Sequence, residues 1–594
     1  MSGLTTTLTR RHVMGLLAGA TALPLIAGCG DSGDTGNGTS GSEFTFGIQF
    51  NVPPKGVFNM LNGTSNEVLG GYMKTLYLLP GGLYLRGSQK YFYLLADPSS
   101  ALSKDGKSFT YKIRENLTWS DKSAVTADDV MATWLLRWAG GHPVFNYVDT
   151  FSKVDDHTVQ FTIKQPAPVV DYYLLEEAIV PASVYGKWSS TLEPLFGKSA
   201  YTDDPVKAVM QEVSTFKPDS MIVTGPYIID YPNVSAQSLV LNKNPHGYLA
   251  DTVAFDTIKI NGSEANEMTL LALNGSVSFT SYGFSNAAIK QFEQSDKLRV
   301  IHAPGSWGTA LLINYAKLPD LADARVRQAL AHVIDLEQNS TIVGPGARPI
   351  KLQSGMPDAE VPTWLSDEDQ KKLTIYDHDT DKATELLTAA GWKKSGDAWT
   401  TASGKPAKFT LQFNSDYPKY VSSAQDLADQ LHAFGIELTL KSVATAADAA
   451  DRQDGKFELG LGGWGTAGNP FPSATFRADM IDNNSLGLAP KPGIAFPLKQ
   501  HTKVVGDIDL EKAIEASGTG IDEATLKANI TKVALAFNEL LPILPLYENI
   551  GVAPVNKLKT TGWPADDDII YQNSPYSSDC YAMVLLMNGT VKPA

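Results

Sequence analysis

The sequence predicts a mixed α/β protein built from two or three lobes. Strand-like stretches of period two alternate along the chain with capped, amphipathic helices. A length of 594 residues exceeds one ordinary domain. With only two cysteines, the body must be held by its hydrophobic core rather than by disulfides.

The elements follow in order. Glu43–Phe50 alternates apolar and polar residues, as a half-buried strand does, and Ser108–Ile113 and Thr158–Ile163 repeat the pattern. Lys104-Asp105-Gly106-Lys107 is a turn before the second strand. Thr126, with Asp129 three residues on, opens a helix through Val130, Trp134 and Leu135. Further helices are expected at 323–335, 379–390 and 422–434, the last two closed by Gly391 and Gly435. Strand-like sequence follows at 408–413 and 436–441. No internal repeat and no linker divides the body, so interwoven lobes are expected.

The N-terminus sets the compartment. Arg10-Arg11 precedes an uncharged stretch from Val13 to Gly28, too short to span a bilayer and typical of a signal peptide. It ends in Leu25-Ile26-Ala27-Gly28-Cys29, and small residues before a lone cysteine are what a lipoprotein signal peptidase requires. Cys29 is therefore the expected lipidation site, and 1–28 the expected signal peptide. The Gly/Ser/Thr/Asp-rich residues 29–42 are the expected flexible tether. The Thr9–Met14 segment resembles a twin-arginine signal except at Val13, so Tat and Sec export both stay open.

Removing residues 1–28 takes away two arginines and no acid, moving the formal net charge from −15 to −17. An acidic body argues against nucleic acid and anionic lipid as partners. Enzymatic signatures are absent: there is no HExxH and no GxSxG, and Gly106-Lys107-Ser108 lacks the upstream glycine of a P-loop. The nine histidines show no pair at ligand spacing, so neither a metal site nor a cofactor is expected. The acid pairs Glu176-Glu177 and Asp128-Asp129 read as solvated helix faces, and Cys580 as an ordinary core or surface thiol. No catalytic residue is assigned.

Aromatic residues cluster in Gly/Pro/Asn-rich stretches. Phe457–Trp464 (FELGLGGW) runs into Gly465-Thr466-Ala467-Gly468-Asn469-Pro470, a strand entering a glycine loop with a tryptophan of exposed type. Glycines let a ligand approach the backbone, and an indole offers a stacking face. A core tryptophan at a strand end is the competing reading.

Several segments together resemble the large peptide/nickel class of ABC solute-binding proteins, family 5. Leu102–Arg114, Trp119–Asp121 and Val125–Val130 carry the most recognisable stretch. Val154–Ile163, Ile179–Val184, Thr224–Tyr227, Leu241–Pro245 and Phe255–Ile260 follow in order, then Ala324–Ala331 with Ile334-Asp335, Ala383–Trp392 and Leu544–Leu546. The likeness runs from Phe44 to about Val555.

That resemblance implies a periplasmic-binding-protein-like fold (class II, cluster C), two-lobed with an extra inserted domain. It implies a first lobe of 43–78, 218–315 and 545–594, an extra domain of 79–217 and a second lobe of 316–544, hinged near Asn314 and Leu544. It implies a monomer that binds a small ligand by hinge closure and docks on a membrane permease. In peptide-binding relatives a matching Asp pairs with the peptide α-ammonium, which points to Asp416, with Asn414 and Tyr417 beside it; an Asx-type loop cap is the alternative for Asp416. Arg325 and Arg327 are expected in ion pairs rather than on ligand. Peptide binders of the family usually carry Trp-x-x-Asp-Tyr, whereas this loop is Trp464-Gly-Thr-Ala-Gly-Asn469-Pro-Phe471-Pro472. Trp464, Asn469 and Phe471 would equally suit an oligosaccharide, which needs aromatic platforms and neutral amides. Trp307 and Phe50 complete the candidate ligand-binding residues. Peptide is the leading ligand, oligosaccharide the next and nickel a third. A surface-anchored hydrolase and a purely structural lipoprotein are the readings from other classes.

Overall fold

The alternating stretches assemble, in the computed structural model, into a large mixed sheet and a smaller antiparallel one. The structure describes residues 42–48, 58–61, 71–235, 238–263, 265–281, 283–466, 468–484, 493–575, 577 and 580–594. The expected signal peptide, Cys29, all of the tether but Ser42, and Phe50 lie outside the described residues. No helix among those described is long and apolar enough to cross a membrane.

The large sheet has eleven strands: β1 (Glu43–Ile48), β2 (Tyr227–Ile229), β3 (Ser238–Lys243), β4 (Thr257–Gly262), β5 (Phe279–Thr280), β6 (Leu298–Ile313), β7 (Ala347–Pro349), β8 (Lys408–Asn414), β9 (Glu437–Val443), β10 (Leu459–Gly465) and β11 (Leu544–Asn556). Their order is β9-β8-β10-β6-β11-β5-β1-β4-β3-β2, with β7 beside β11. β1 pairs in parallel with β4, and β8 in parallel with β9; the two longest strands, β6 and β11, are antiparallel.

These two strands carry the architecture. Ile301 and Ala303 of β6, with Ala553 and Val555 of β11, belong to a first hydrophobic core that includes Phe44, Phe46, Ile258 and Ile260. Ala310–Ile313 and Leu544–Tyr547 belong to a second core with Leu411, Leu427, Leu461 and Phe537. Each strand leaves one core and enters the other. Between the cores the register of the pair breaks, from Pro304 to Gly308, and Ser306 adopts φ 60°. A side chain at Gly308 would place its Cβ 1.9 Å from the Tyr547 carbonyl, so close strand approach demands glycine there.

A second, four-stranded sheet (101–102, 108–112, 158–163, 148–155) packs with helices Ala127–Ala139 and Ala182–Leu192 on the first core. Local signals explain many boundaries. Asp129 accepts from the Thr126 amide at 2.8 Å, closing the cap foreseen there. Asp379 caps Thr380–Ala389, and Gly435 at φ 102° ends Pro418–Phe434. That helix starts a turn before the expected Ser422, because Pro418 at its first position is already set for helical φ.

Three expectations change. Arg325 does pair with Asp323, but the buried Arg327 donates instead to the carbonyls of Leu540, Leu541, Leu321 and Ala322. Glu176 is not a solvated helix face: its carboxylate accepts from the Tyr84 amide at 2.6 Å. Asp129 is likewise buried, its burial being required by the cap and by the Trp119 indole N–H it accepts.

Candidate functional site

A small concave site lies where β6 and β11 pass between the cores. One wall is a hairpin, Gly82–Leu85 with Lys90–Tyr93, which pairs Tyr84 opposite Tyr91. Helix Val169–Glu176 adds Tyr172. The facing wall is the loop after β10, a strand of the second core; its Phe471, which precedes helix Pro472–Arg477, packs across onto the first core.

The walls meet through aromatic rings. Phe471 lies 6.0 Å from Tyr84 and 6.3 Å from Tyr172, centroid to centroid, and Tyr84 lies 5.3 Å from Tyr91. The Tyr172 hydroxyl donates to the Gly468 carbonyl at 2.5 Å, and the Asn469 side chain hydrogen-bonds the Tyr173 hydroxyl. Asn469 also accepts from the Phe471 amide at 3.0 Å, an Asx turn that fixes the ring. Burial pushes the Tyr84 phenol up to about 12, Arg86 opposing and Glu360 reinforcing, so it stays a neutral donor.

Charge gathers at the register break of β6 and β11. The Arg86 guanidinium lies 3.7 Å from Glu360, which also accepts from the Ser306 hydroxyl at 3.4 Å. The fully buried Glu548 accepts from the Ser306 amide at 3.2 Å and pairs with Arg348. Ser306, in its left-handed conformation at the register break, thus bridges two carboxylates. Burial raises Glu360 to about 7, with Arg86 lowering it and Glu548 raising it further. Burial raises Glu548 as well, against Arg348. The cavity among Tyr84, Arg86, Ser306, Glu360, Trp364 and Glu548 holds about 40 Å³, room for a few water molecules only.

The expected site residues fall into two groups. Asn469 and Phe471 are at this seam. Trp464 is not a stacking face: it is 1 % exposed, packed in the second core, with its indole N–H donating to the Tyr547 carbonyl at 3.0 Å. Its position one residue before the end of β10 points it inward, and a buried indole needs that acceptor. Asp416 is exposed and acts as a cap, accepting from the Thr445 amide at 3.0 Å and hydroxyl at 2.7 Å, which hold its carboxyl below the usual range. Asn414 is buried, donating to the Thr445 hydroxyl and accepting from the Asp416 amide. Tyr417 is exposed, its ring against Tyr420; Trp307 is 36 % exposed beside the register break. None of these four lines the cavity.

Tyr84, Arg86, Tyr172, Glu360 and Glu548 were missed in the sequence. One signal was there to find: Glu548 is the one charged residue of a mostly apolar strand, and a buried acid in a strand needs a reason. Among the described residues no group of three or more His, Cys, Asp or Glu is placed to hold a metal ion, and Cys580 is buried.

Comparison with known proteins places this geometry in context. The model of the bacterial extracellular solute-binding proteins, family 5 (middle region), matches residues 90–485. A probable D,D-dipeptide-binding periplasmic protein of Escherichia coli is 24% identical over 369 residues, 61% of this chain and 63% of its own length. The dipeptide-binding protein of the same organism is 24% identical over 400 residues, 62% of this chain and 67% of that one. The chain thus spans roughly two thirds of these relatives. Among solved structures, a periplasmic oligopeptide-binding protein of Thermotoga maritima superposes with a TM-score of 0.75 at 18% identity, covering 94% of this chain and all of its own. A mannohexaose-bound structure of a Thermotoga maritima oligopeptide-binding protein gives 0.63 at 17% identity, covering 91% and 98%. The oligopeptide-binding protein of Bacillus subtilis, in complex with a nonapeptide, gives 0.63 at 18%, covering 93% and 99%. These likenesses give the fold: the two-lobed α/β architecture of periplasmic binding proteins.

Proposed function

The chain belongs to the bacterial extracellular solute-binding proteins of family 5, and on that premise we propose that it captures a peptide between its two lobes and hands it to an ABC permease. One observation carries the reading: a small cavity at the crossing of β6 and β11, with Tyr84 and Arg86 on one side and Glu360 and Trp364 on the other, beside the ring contacts of Phe471 with Tyr84 and Tyr172. We assign the first lobe to 43–78, 218–315 and 545–594, the extra domain to 79–217 and the second lobe to 316–544. The separate core around Leu311, Leu411 and Phe537 and the register break between Pro304 and Gly308 support setting the second lobe apart; the bounds of the extra domain, which shares a core with the first lobe, rest on the family resemblance. A ligand in contact with both walls stabilises the closed state by its differential affinity, and the permease reads that state.

In this reading the chain is a monomer without catalytic activity or cofactor. It is exported by the Sec or Tat route and tethered outside the cytoplasm through lipidated Cys29. Peptide is favoured because the hinge end of the cleft is charged, with Arg86, Glu360, Arg348 and Glu548 all at hand. An oligosaccharide is the second reading, supported by the ring cluster and the neutral Asn469 amide on the opposite side. Small-angle scattering and calorimetry on the unfolded, washed and refolded protein test both. Peptide addition is expected to shrink the radius of gyration and release binding heat. Manno-oligosaccharides alone doing so would overturn the peptide reading. Phe471→Ala is expected to weaken binding of either ligand about thirtyfold, two aromatic pairs being lost at about 1 kcal/mol each.

A further inference from the structure

We infer that Glu360 is the carboxylate that recognises a protonated amine on the ligand, at the hinge end of the cleft. The inference rests on the peptide reading in that it needs a peptide to enter between the lobes.

Glu360 is set apart from the other acids by what surrounds it. It lines the cavity and keeps 26 % of its side chain open while lying deep in the protein. Its contacts are long: Arg86 at 3.7 Å and the Ser306 hydroxyl at 3.4 Å, against 2.7–2.9 Å for a good charge-assisted bond. Glu548, one neighbour away, is engaged by Arg348 and the Ser306 amide and is fully buried. The carboxylate that retains capacity for a new donor is therefore Glu360.

The local charge agrees. The titratable groups facing Glu360 are Arg86 and Tyr84 from the hairpin and Glu548 from β11. Arg348 from β7 and Asp358 on its own segment act on Glu548. Among the described residues Arg86 is the cation that faces Glu360, and at 3.7 Å it leaves the carboxylate room for an ammonium group. The other acid expected to take an amine, Asp416, is occupied by Thr445. The loop Trp464–Pro472 has no acid at all.

Linkage gives the sign with pH. Burial holds Glu360 partly protonated near neutrality. An ammonium ligand binds the ionised form, so affinity rises as pH rises through about 7 and falls below it. No such dependence arises for a ligand without an amine.

The test uses the full mature chain and two libraries, one of free-amine tri- to pentapeptides and the same peptides N-acetylated, read by native mass spectrometry at pH 6 and pH 8. Free-amine peptides are expected to bind at least tenfold more tightly than their acetylated forms at pH 8, with the ratio shrinking at pH 6. Glu360→Gln, which keeps size, is expected to erase the ratio. Peptides that bind without amine preference, or a ratio unchanged between the two pH values, overturn the role of Glu360 and leave peptide binding standing. The wild-type comparison decides this even if the variant does not fold. No peptide bound at either pH, with manno-oligosaccharide bound, overturns both.

Discussion

Asp479 lies under the loop that carries Asn469 and Phe471, and its titration gives a sharp test of how that loop is held. It sits in a single π-helical turn, Ala478–Asp482, and is 1 % exposed. One carboxyl oxygen accepts from the Gly465 amide at 3.0 Å; the other is buried without a partner. Burial, opposed only by that amide, lifts its pKa from 3.8 to about 8. The folded state therefore holds a proton that the unfolded chain releases above about pH 4. Unfolding free energy falls as pH rises from about 4 to about 8 and is flat beyond. The slope is about 1.4 kcal/mol per pH unit, with a ceiling of about 5 kcal/mol across the window that relaxation and water entry will reduce.

Asp479→Asn keeps the shape and the acceptor for Gly465 but cannot ionise. Its stability relative to the wild type is expected to grow between pH 5 and pH 8, by about 1.4 kcal/mol per unit at most. Each such step moves the melting midpoint by about 2 °C in a cooperative unit above 200 residues. Other groups raised by burial, Asp171 and Glu360, slope alike in both proteins and cancel in the difference. Calorimetric melting at four pH values reads it. A difference that stays constant with pH would refute the reasoning, for Asp479 would then be ionised in the folded state.

Trp464→Phe should cost about 1–2 kcal/mol in urea unfolding, from the orphaned Tyr547 carbonyl, and leave ligand affinity unchanged; weakened binding without lost stability would restore Trp464 as a ligand platform. Asp416→Ala should slightly lower the melting midpoint by uncapping helix Thr445–Gln453 without altering affinity in calorimetry. Because its carboxyl is held low, that cap acts above the ordinary carboxylate range and is lost only as pH falls through the lowered value. Arg327→Lys should destabilise the second core by about 2–4 kcal/mol in denaturant titration, since one ammonium cannot reach both carbonyl pairs and loses the stack on Tyr315 and Phe496. A neutral substitution there would mean the four bonds are replaced by water.

Wherever structure depends on neighbours in the chain, the sequence was sufficient. The period-two runs at 43–48, 108–112 and 158–163 became strands, and Thr126, Asp379 and Gly435 ended helices as their chemistry requires. Collinear family segments identified the architecture, because so many short matches in order demand one fold. Helix Pro418–Phe434 starts a turn before the expected Ser422, at a proline whose fixed φ suits the first helical position.

Which aromatic rings face the cleft could not be read locally. Trp464 and Phe471 are seven positions apart, yet one is packed in the second core and the other meets Tyr84 and Tyr172. The difference lies in the opposing surface, supplied from some 300 to 390 residues earlier in the chain. The same holds for charge. Glu360 and Glu548 are 188 positions apart, and only the break in β6 at Ser306 brings them to one serine. Composition and spacing thus determined the class and the elements of this protein. Burial, which sets whether a ring stacks or packs and whether an acid ionises, depends on the second wall, and only the tertiary structure decides what that wall is.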